Sequence, residues 1–474
     1  LRQSRAKAEE IDAVICDSHF FSLIPLCADG TPLMNLITWL DKRGARENLR
    51  RVGGDRGDNL WRQFHWWRIH GIPPLASGVD NISKIRWIQL AHPDVYEQAA
   101  VFLEPVDYLT YRLTGRFTAN PCTVFPMQLT DNRNAHKVTY ADRLLAYAGV
   151  DREKLPELLP VDAVVGTVLP EVATELGISA RAQVVTGLND TQVGAVGCGA
   201  FRGGTAGVVL GSSGVVVSRA EKKQTDVRTG LFTLPSPVPG EYLMTGEGGV
   251  AGSALEHFLR ALVFADDALG APHAEDVYAR LEAVVSASPP GSNGVLFLPW
   301  LNGSVAPVND GAMRGGFLNV SLDTARSDLA RAVLEGISYQ YRLLADAARS
   351  LVRGDFDHFT LHGGGALSET WSQTIADMLG APVHALAEPR LINCRGLGLL
   401  AFQRLGRIDY DTVASRVAVD RVYEPKPALV SLYADRRDAM AMAFKKNRGL
   451  FRKLNGPSKG SQVDIETASE QEHV

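Results

Sequence analysis

Residues 359–380, FTLHGGGALSETWSQTIADMLG, constrain the fold more than any other stretch of this 474-residue chain. A short apolar run ends in three consecutive glycines, and a helical pattern opens directly behind them. Ser368 stands where an N-cap is needed, and Trp371, Ile375 and Met378 recur at helical spacing as one apolar stripe. A strand feeding a helix through a glycine turn is the unit of α/β folds, in which helices cover a sheet. The same alternation recurs in DAVIC, then VYEQAAVFLEPVDYLTYRLTG as a longer helical pattern, then AQVVTG. In RSDLARAVLEGISYQYRLLADAA, Leu329, Val333, Ile337 and Tyr341 fall on one face of a helix.

A chain of this length exceeds what one hydrophobic core usually serves, which predicts two domains with a ligand cleft between them. From Thr205 the text changes to TAGVVLGSSGVVVS, two strand-like runs around a four-residue Gly/Ser turn, which reads as an antiparallel hairpin opening a second sheet. The expected division is therefore a first domain over 1–201 and a second over 202–448. Beyond residue 448 the chain turns polar and aperiodic, which predicts a disordered tail over 449–474. The basic cluster at its start, Lys445, Lys446, Arg448, Arg452 and Lys453, reads as a solvated helix end.

Hydrophobic residues make up 45% and charged residues 22% of the chain, which fits a globular protein and excludes disorder, collagen and coiled coil. A net charge of -4 supplies no concentrated basic face, so nucleic acid is not an expected partner. The five cysteines, Cys16, Cys27, Cys122, Cys198 and Cys394, are scattered without a C-x-x-C pair, which fits a reducing cytoplasm. No apolar run is long enough to cross a bilayer, and the opening LRQSRAKAEEID is charged, unlike a secretory signal.

Three glycine-rich stretches are expected to be turns behind strands: Gly211, Ser212, Ser213 and Gly214 (GSSG), residues 246–252 (GEGGVAG), and Gly363, Gly364 and Gly365 (GGG). Glycine permits positive φ and lets backbone N–H groups converge on an anion, above all where a helix begins. Each stretch taken alone reads first as a tight turn, since glycine is the default turn residue, and the three together shift the balance toward an anion site. The P-loop pattern G-x-x-x-x-G-K-S/T and the dinucleotide pattern G-x-G-x-x-G are both missing, so any nucleotide site is of another type. Val215 breaks G-x-S-x-G at the GSSG, and no H-E-x-x-H or other close ligand cluster marks a metal. His19, His257 and His362 stand isolated, as structural histidines do.

Asp190 is the residue with chemistry to explain. In TGLNDTQVGAVG, residues 186–197, it follows the apolar run Gln183, Val184, Val185 with no Lys or Arg beside it. Burial there raises a carboxyl pKa. A carboxylate at a strand end facing a cleft can take the proton of a substrate hydroxyl as that oxygen attacks phosphorus. The alternative on residue chemistry is an Asx-type turn or helix N-cap.

The order of these motifs resembles the FGGY family of carbohydrate kinases, and within it the xylulokinase branch, from about residue 11 to about residue 406. ITWLDKRG resembles the family's W-x-D-x-R turn in Trp39, Asp41 and Arg43. KIRWIQLAHPDVYEQAAVFLEPVDYLTYRLTG is similar to a segment running from K-x-x-W to D-Y-L-x-x-x-L-T-G. VVTGLNDTQVGAVGCG matches the family's catalytic aspartate at Asp190, and LGSSG resembles L-G-T-S-G, its second phosphate motif. LFLPWLNGS, RGGFLNVSL and DLARAVLEGISY follow in family order, and GGGALSETWSQTIADMLG resembles its adenosine motif.

The resemblance implies a two-domain, actin-like, ribonuclease-H-like α/β fold, with sugar held mainly by the first domain and ATP mainly by the second. It implies Asp190 as general base, Gly211, Ser212, Ser213 and Gly214 on the phosphates, and Gly363, Gly364, Gly365 and Ser368 around the adenosine end. Trp39, Asp41 and Arg43 fall to the sugar, Mg2+ accompanies the nucleotide, and a homodimer is the usual state of such relatives. The implied activity is ATP-dependent phosphorylation of a primary hydroxyl of D-xylulose or a related pentulose, polyol or sugar acid.

Departures from the pattern set further expectations. The family's opening hairpin with D-x-G-T-S/T, its first phosphate motif, is not found, and the chain begins with Leu1. The first domain is accordingly expected to be incomplete at its N-terminus, with an open sheet edge and a weakened clamp on phosphate and metal. A non-catalytic sugar or nucleotide binder is the alternative function if that hairpin is truly lacking. CDSHFFSL puts Phe20 and Phe21 where xylulokinases have a substrate-contacting pair, and GSVAP replaces G-E-R-x-P, so the identity of the sugar is open.

Overall fold

The computed structural model describes residues 6–45, 48–49, 60–75, 77–226, 228–264, 277–305 and 308–455. Its largest element is a mixed eight-stranded sheet. Across it lie Thr225–Asp226, Leu231–Pro235, Tyr242–Val250, Ser213–Ala220, Thr205–Leu210, His358–His362, Val383–Leu386 and Val419–Tyr423, in that order. The hairpin read from TAGVVLGSSGVVVS is there, pairing antiparallel from Ala206↔Ser218 to Leu210↔Gly214. Its turn is tighter than expected, because the second strand already begins at Ser213. On its other side Thr205–Leu210 runs parallel to His358–His362. These two strands end side by side at Gly211 and Gly363, and strand ends at such a change of direction are where α/β sheets bind ligands.

The Arg326–Val352 helix packs on this sheet, with Val333, Ile337 and Tyr341 buried and Leu329 partly buried against the core of Val208, Leu210, Met244 and Phe359. Ser368 caps the Glu369–Leu379 helix by accepting the Trp371 N–H at 3.1 Å, and Trp371, Ile375 and Met378 are buried as the stripe required.

Strands before residue 204 are shorter. Ala13–Val14, Gln183–Val185 and Val164–Thr167 form a three-stranded sheet with Ala13–Val14 at one edge, and Asp17–Ser18 runs parallel to Leu188–Asn189. The single helical pattern read in VYEQAAVFLEPVDYLTYRLTG is instead two helices, Pro93–Gln98 and Pro105–Thr114, separated by the strand Val101–Leu103. Pro105 cannot sit inside a helix and so starts one. The apolar residues before it pair with Ile24–Leu26 and are buried.

A core joins the two halves. The Ile392–Arg404 helix lies against the Asp190–Gly197 helix, and Ile392 and Leu400 pack with Val193, Val196, Phe201 and Leu243. Glycine permits the approach: a Cβ on Gly197 would sit 2.2 Å from the Ile392 carbonyl oxygen, and one on Gly396 2.6 Å from that of Val193.

The chain end differs from expectation. The last helix, Pro427–Asn455, continues through residues 449–455. It is held there by Arg448 and Arg452, which pair with the buried Asp310 carboxylate at 2.6 and 3.0 Å. The rest of the expected tail, 456–474, lies outside the described residues. Among the described residues no helix is long and apolar enough to cross a membrane.

Candidate active site

Asp190 is the first residue of its helix and follows Leu188–Asn189 directly. Among the described residues only its Oδ1 is engaged, by the Thr191 N–H at 2.7 Å and the Thr191 hydroxyl at 3.4 Å. The cap-like bond and an available second oxygen therefore coexist. Burial pushes its pKa above the usual carboxylate range, with Asp17 adding to the push, while the Thr191 bonds and His19 oppose it. Asn393, from the helix across the joint, donates weakly to both the Asp190 carbonyl at 3.3 Å and the Asp17 carboxylate at 3.5 Å. On either side of the acid, Asn189 Oδ1 and Gln192 Oε1 are buried acceptors with no partner among the described residues.

Buried charged and polar groups are joined around the residues expected on the sugar side. His19 Nε2 meets the Ser22 hydroxyl at 2.7 Å, and the Ser22 N–H donates to Glu104 at 3.2 Å. The Asn81 amide donates to the same carboxylate, and the Lys84 ammonium donates to the Phe21 carbonyl. Burial pushes Glu104 up and pushes Lys84 down to about 8, the nearby Glu104, Asp80 and Asp41 charges opposing the Lys84 shift. Arg43 grips Asp41 through Nε at 2.7 Å and lies over the Trp87 ring at 4.8 Å. Burial would raise Asp41, but its Arg43 bonds and the Arg43 and Lys84 charges hold it below the usual range. Trp39 is half exposed. Asp41 is thus linked to the Asp190 neighbourhood through the Lys84 charge, the Phe21 carbonyl that Lys84 holds, and the charge of His19. Phe20 and Phe21 pack on each other at 5.7 Å and against the core that joins the halves.

On the other side lies a cavity of about 590 Å3 whose walls include Gly211, Ser212, Gly252, Gly364, Gly365 and Ser368. Of the expected nucleotide residues, Ser213, Gly214 and Gly363 are not among the residues that line it. Gly214 pairs in the hairpin against Tyr341, and a Cβ on Gly363 would sit 2.6 Å from the Leu210 carbonyl. The Ser368 hydroxyl is already spent, accepting from Trp371 and donating to Glu282 at 2.6 Å.

The GEGGVAG stretch is not a turn. Residues up to Val250 continue the strand Tyr242–Val250, and the register slips between Gly214↔Gly249 and Val215↔Glu247, leaving Gly248 as a bulge. The stretch still serves the GSSG turn, since the Ala251 and Gly252 N–H groups donate to Ser212 and Gly211 carbonyls at 2.9 and 2.8 Å. It also brings Glu247 near Asp190: burial pushes the Glu247 carboxyl up, and the Asp190 charge adds to it. Glu247, Asn393, Lys84 and Glu104 were assigned no role from sequence. Only the Lys-x-x-Trp spacing at Lys84 offered a signal. The two half-sites meet at the Asp190 helix, where a Cβ on Gly194 would lie 3.7 Å from His362, the residue before Gly363.

The family model described as FGGY family of carbohydrate kinases, N-terminal domain, matches residues 1–197, and its C-terminal domain counterpart matches residues 206–401. A xylulose kinase of Staphylococcus epidermidis is 27% identical over 426 residues, covering 89% of this chain and 80% of that protein. A gluconokinase of Bacillus licheniformis is 25% identical over 441 residues, covering 91% and 82%. The solved ligand-bound xylulose kinase of Lactobacillus acidophilus superposes with a TM-score of 0.82 at 23% identity, covering 96% of this chain and 87% of that one.

Proposed function

The chain belongs to the FGGY family of carbohydrate kinases, and from that premise we propose that it transfers phosphate from ATP to a primary hydroxyl of D-xylulose or a related pentulose, polyol or sugar acid, with Asp190 as general base. Its fold is the two-domain, actin-like ATPase fold of its structural neighbours. Relatives named for xylulose and for gluconate, at comparable identity, support a small open-chain substrate and leave its oxidation state to experiment.

One observation carries the reading: a desolvated carboxylate with one oxygen available stands on a helix that touches the strand leading into the glycine-lined cavity. A raised pKa makes the carboxylate a stronger base toward a hydroxyl proton, and such assistance is worth roughly a hundred- to ten-thousandfold in rate. Backbone N–H groups at the glycine turns are suited to hold phosphate oxygens without a side chain in the way. A cavity of about 590 Å3 is within the size range of nucleotide and cofactor sites. Closure of the two halves would expel water and protect ATP from hydrolysis.

Among the described residues no cluster of three or more His, Cys, Asp or Glu forms a ready-made metal site. That fits Mg2+, which is usually held by one or two carboxylates together with substrate phosphates. Glu247, whose carboxyl feels the Asp190 charge, is an acid placed to contribute, and the metal would offset phosphate charge. Trp39, Asp41 and Arg43 are proposed on the sugar side, and Gly211, Ser212, Ser213, Gly214, Gly363, Gly364, Gly365 and Ser368 as the nucleotide site or its support. The division at residues 201/202 is proposed to separate the two.

The test is a coupled ADP-release screen over pentuloses, polyols and sugar acids. Turnover with one of these classes is the expected result. A chain that binds ATP and sugar yet releases no ADP would instead be the non-catalytic binder.

A further inference from the structure

Arg390 is the one cation among the described residues that line the glycine-walled cavity, which also carries Glu256 and Glu282. Both acids are engaged elsewhere. Glu256 pairs with Arg260 at 2.9 Å, and Glu282 accepts the Ser368 hydroxyl at 2.6 Å and the Thr370 N–H at 2.8 Å. Arg390 is exposed at the cavity and has no hydrogen-bond or ion-pair partner among the described residues.

Its backbone, by contrast, is held firmly. The Gly363 N–H donates to the Pro389 carbonyl at 2.9 Å, which ties Arg390 to the turn whose next two glycines form the cavity wall. The Leu391 N–H closes a turn onto the Glu388 carbonyl at 2.8 Å, with Glu388 in the left-handed region at φ 49. A non-glycine residue in that region is a strained choice that the surroundings must enforce. Arg395 braces the same turn by donating to the Ala387 carbonyl at 3.0 Å. A fixed backbone carrying over a cavity a guanidinium unpaired among the described residues is an arrangement for a ligand.

Glycine N–H groups give hydrogen bonds but no net charge, and the cavity's own acids oppose an anion. A polyphosphate needs a cation there, and guanidinium presents a planar fork that matches two phosphate oxygens. We infer that Arg390 is a nucleotide-binding residue, its guanidinium gripping the polyphosphate of ATP. This rests on the kinase reading above.

The native chain, Arg390→Ala and Arg390→Lys would be titrated with magnesium-ATP and with adenosine, and their kinetics measured with a sugar that the native chain phosphorylates. Arg390→Ala is expected to weaken ATP binding and raise its KM by at least about tenfold, with adenosine binding and the sugar KM held within about twofold. Arg390→Lys should fall between, since it keeps the charge and loses the fork. ATP affinity unmoved in Arg390→Ala, or an equal loss for adenosine, overturns the inference and leaves the kinase reading standing. A native chain that binds no ATP overturns both.

Discussion

The two halves of the molecule build their proposed ligand sites from different materials. After residue 204 the proposed binding surface is backbone: glycine turns at the ends of adjacent strands in one eight-stranded sheet, braced by N–H to carbonyl bonds between turns. Before it the strands around the site are two or three residues long, and side chains take over, with Lys84, Asn81, Glu104 and Ser22 buried in one network. A backbone site tolerates no added atom at its close approaches. A side-chain site tolerates shape better and charge loss worse.

That contrast can be broken first at Lys84. Replacing it with Met leaves the Phe21 carbonyl without its donor and Glu104 without its nearest opposing charge, which should destabilise the chain by about 3 kcal/mol in a denaturant titration. Burial lowers the Lys84 pKa from 10.5 to about 8, so between those values the unfolded chain holds a proton that the folded chain has lost. Stability from this group therefore rises with pH across the window, and the rise should be smaller in Lys84→Met. Lys223, also lowered to about 8, contributes equally to both proteins. A stability loss that stays constant from pH 7 to 10 would contradict the assignment.

Gly363→Ala probes the backbone half. With φ 97 and ψ 175 the residue occupies a region open essentially to glycine alone, and the new Cβ would press on the Leu210 carbonyl. We expect a cost of about 2 kcal/mol and a higher KM for ATP, with the sugar KM unchanged. An equal rise in both would show that the halves do not divide their ligands.

Asp17→Asn is the smallest change. It removes the like charge that helps raise Asp190, so the acid limb of the kcat/KM profile should move to lower pH. A limb that does not move means that Asp17 is not felt by the base.

The same contrast explains what the sequence revealed. The hairpin from Thr205, the helix face of Val333, Ile337 and Tyr341, and the Ser368 cap follow from local spacing, and all are present. The strand Val101–Leu103 was hidden in a helical pattern because its partner, Ile24–Leu26, is far away in sequence. The last helical turns, 449–455, look polar because their anchor is Asp310, on a distant loop. GEGGVAG looked like a turn because glycine spacing does not distinguish a turn from a bulged strand. Asp190's raised pKa was legible from the missing local cation. Asn393 and Glu247, which reach it from the other half, had no signal near it.

The account turns on what Asp190 does, and Asp190→Asn isolates it, because the amide oxygen can still accept the Thr191 N–H. Steady-state rates with the best sugar from the screen, measured beside ATP titrations of the same protein, should show kcat down by at least about a hundredfold with ATP affinity within about twofold. Turnover near the native rate would mean that the carboxylate only caps its helix, and the proposed mechanism would be wrong.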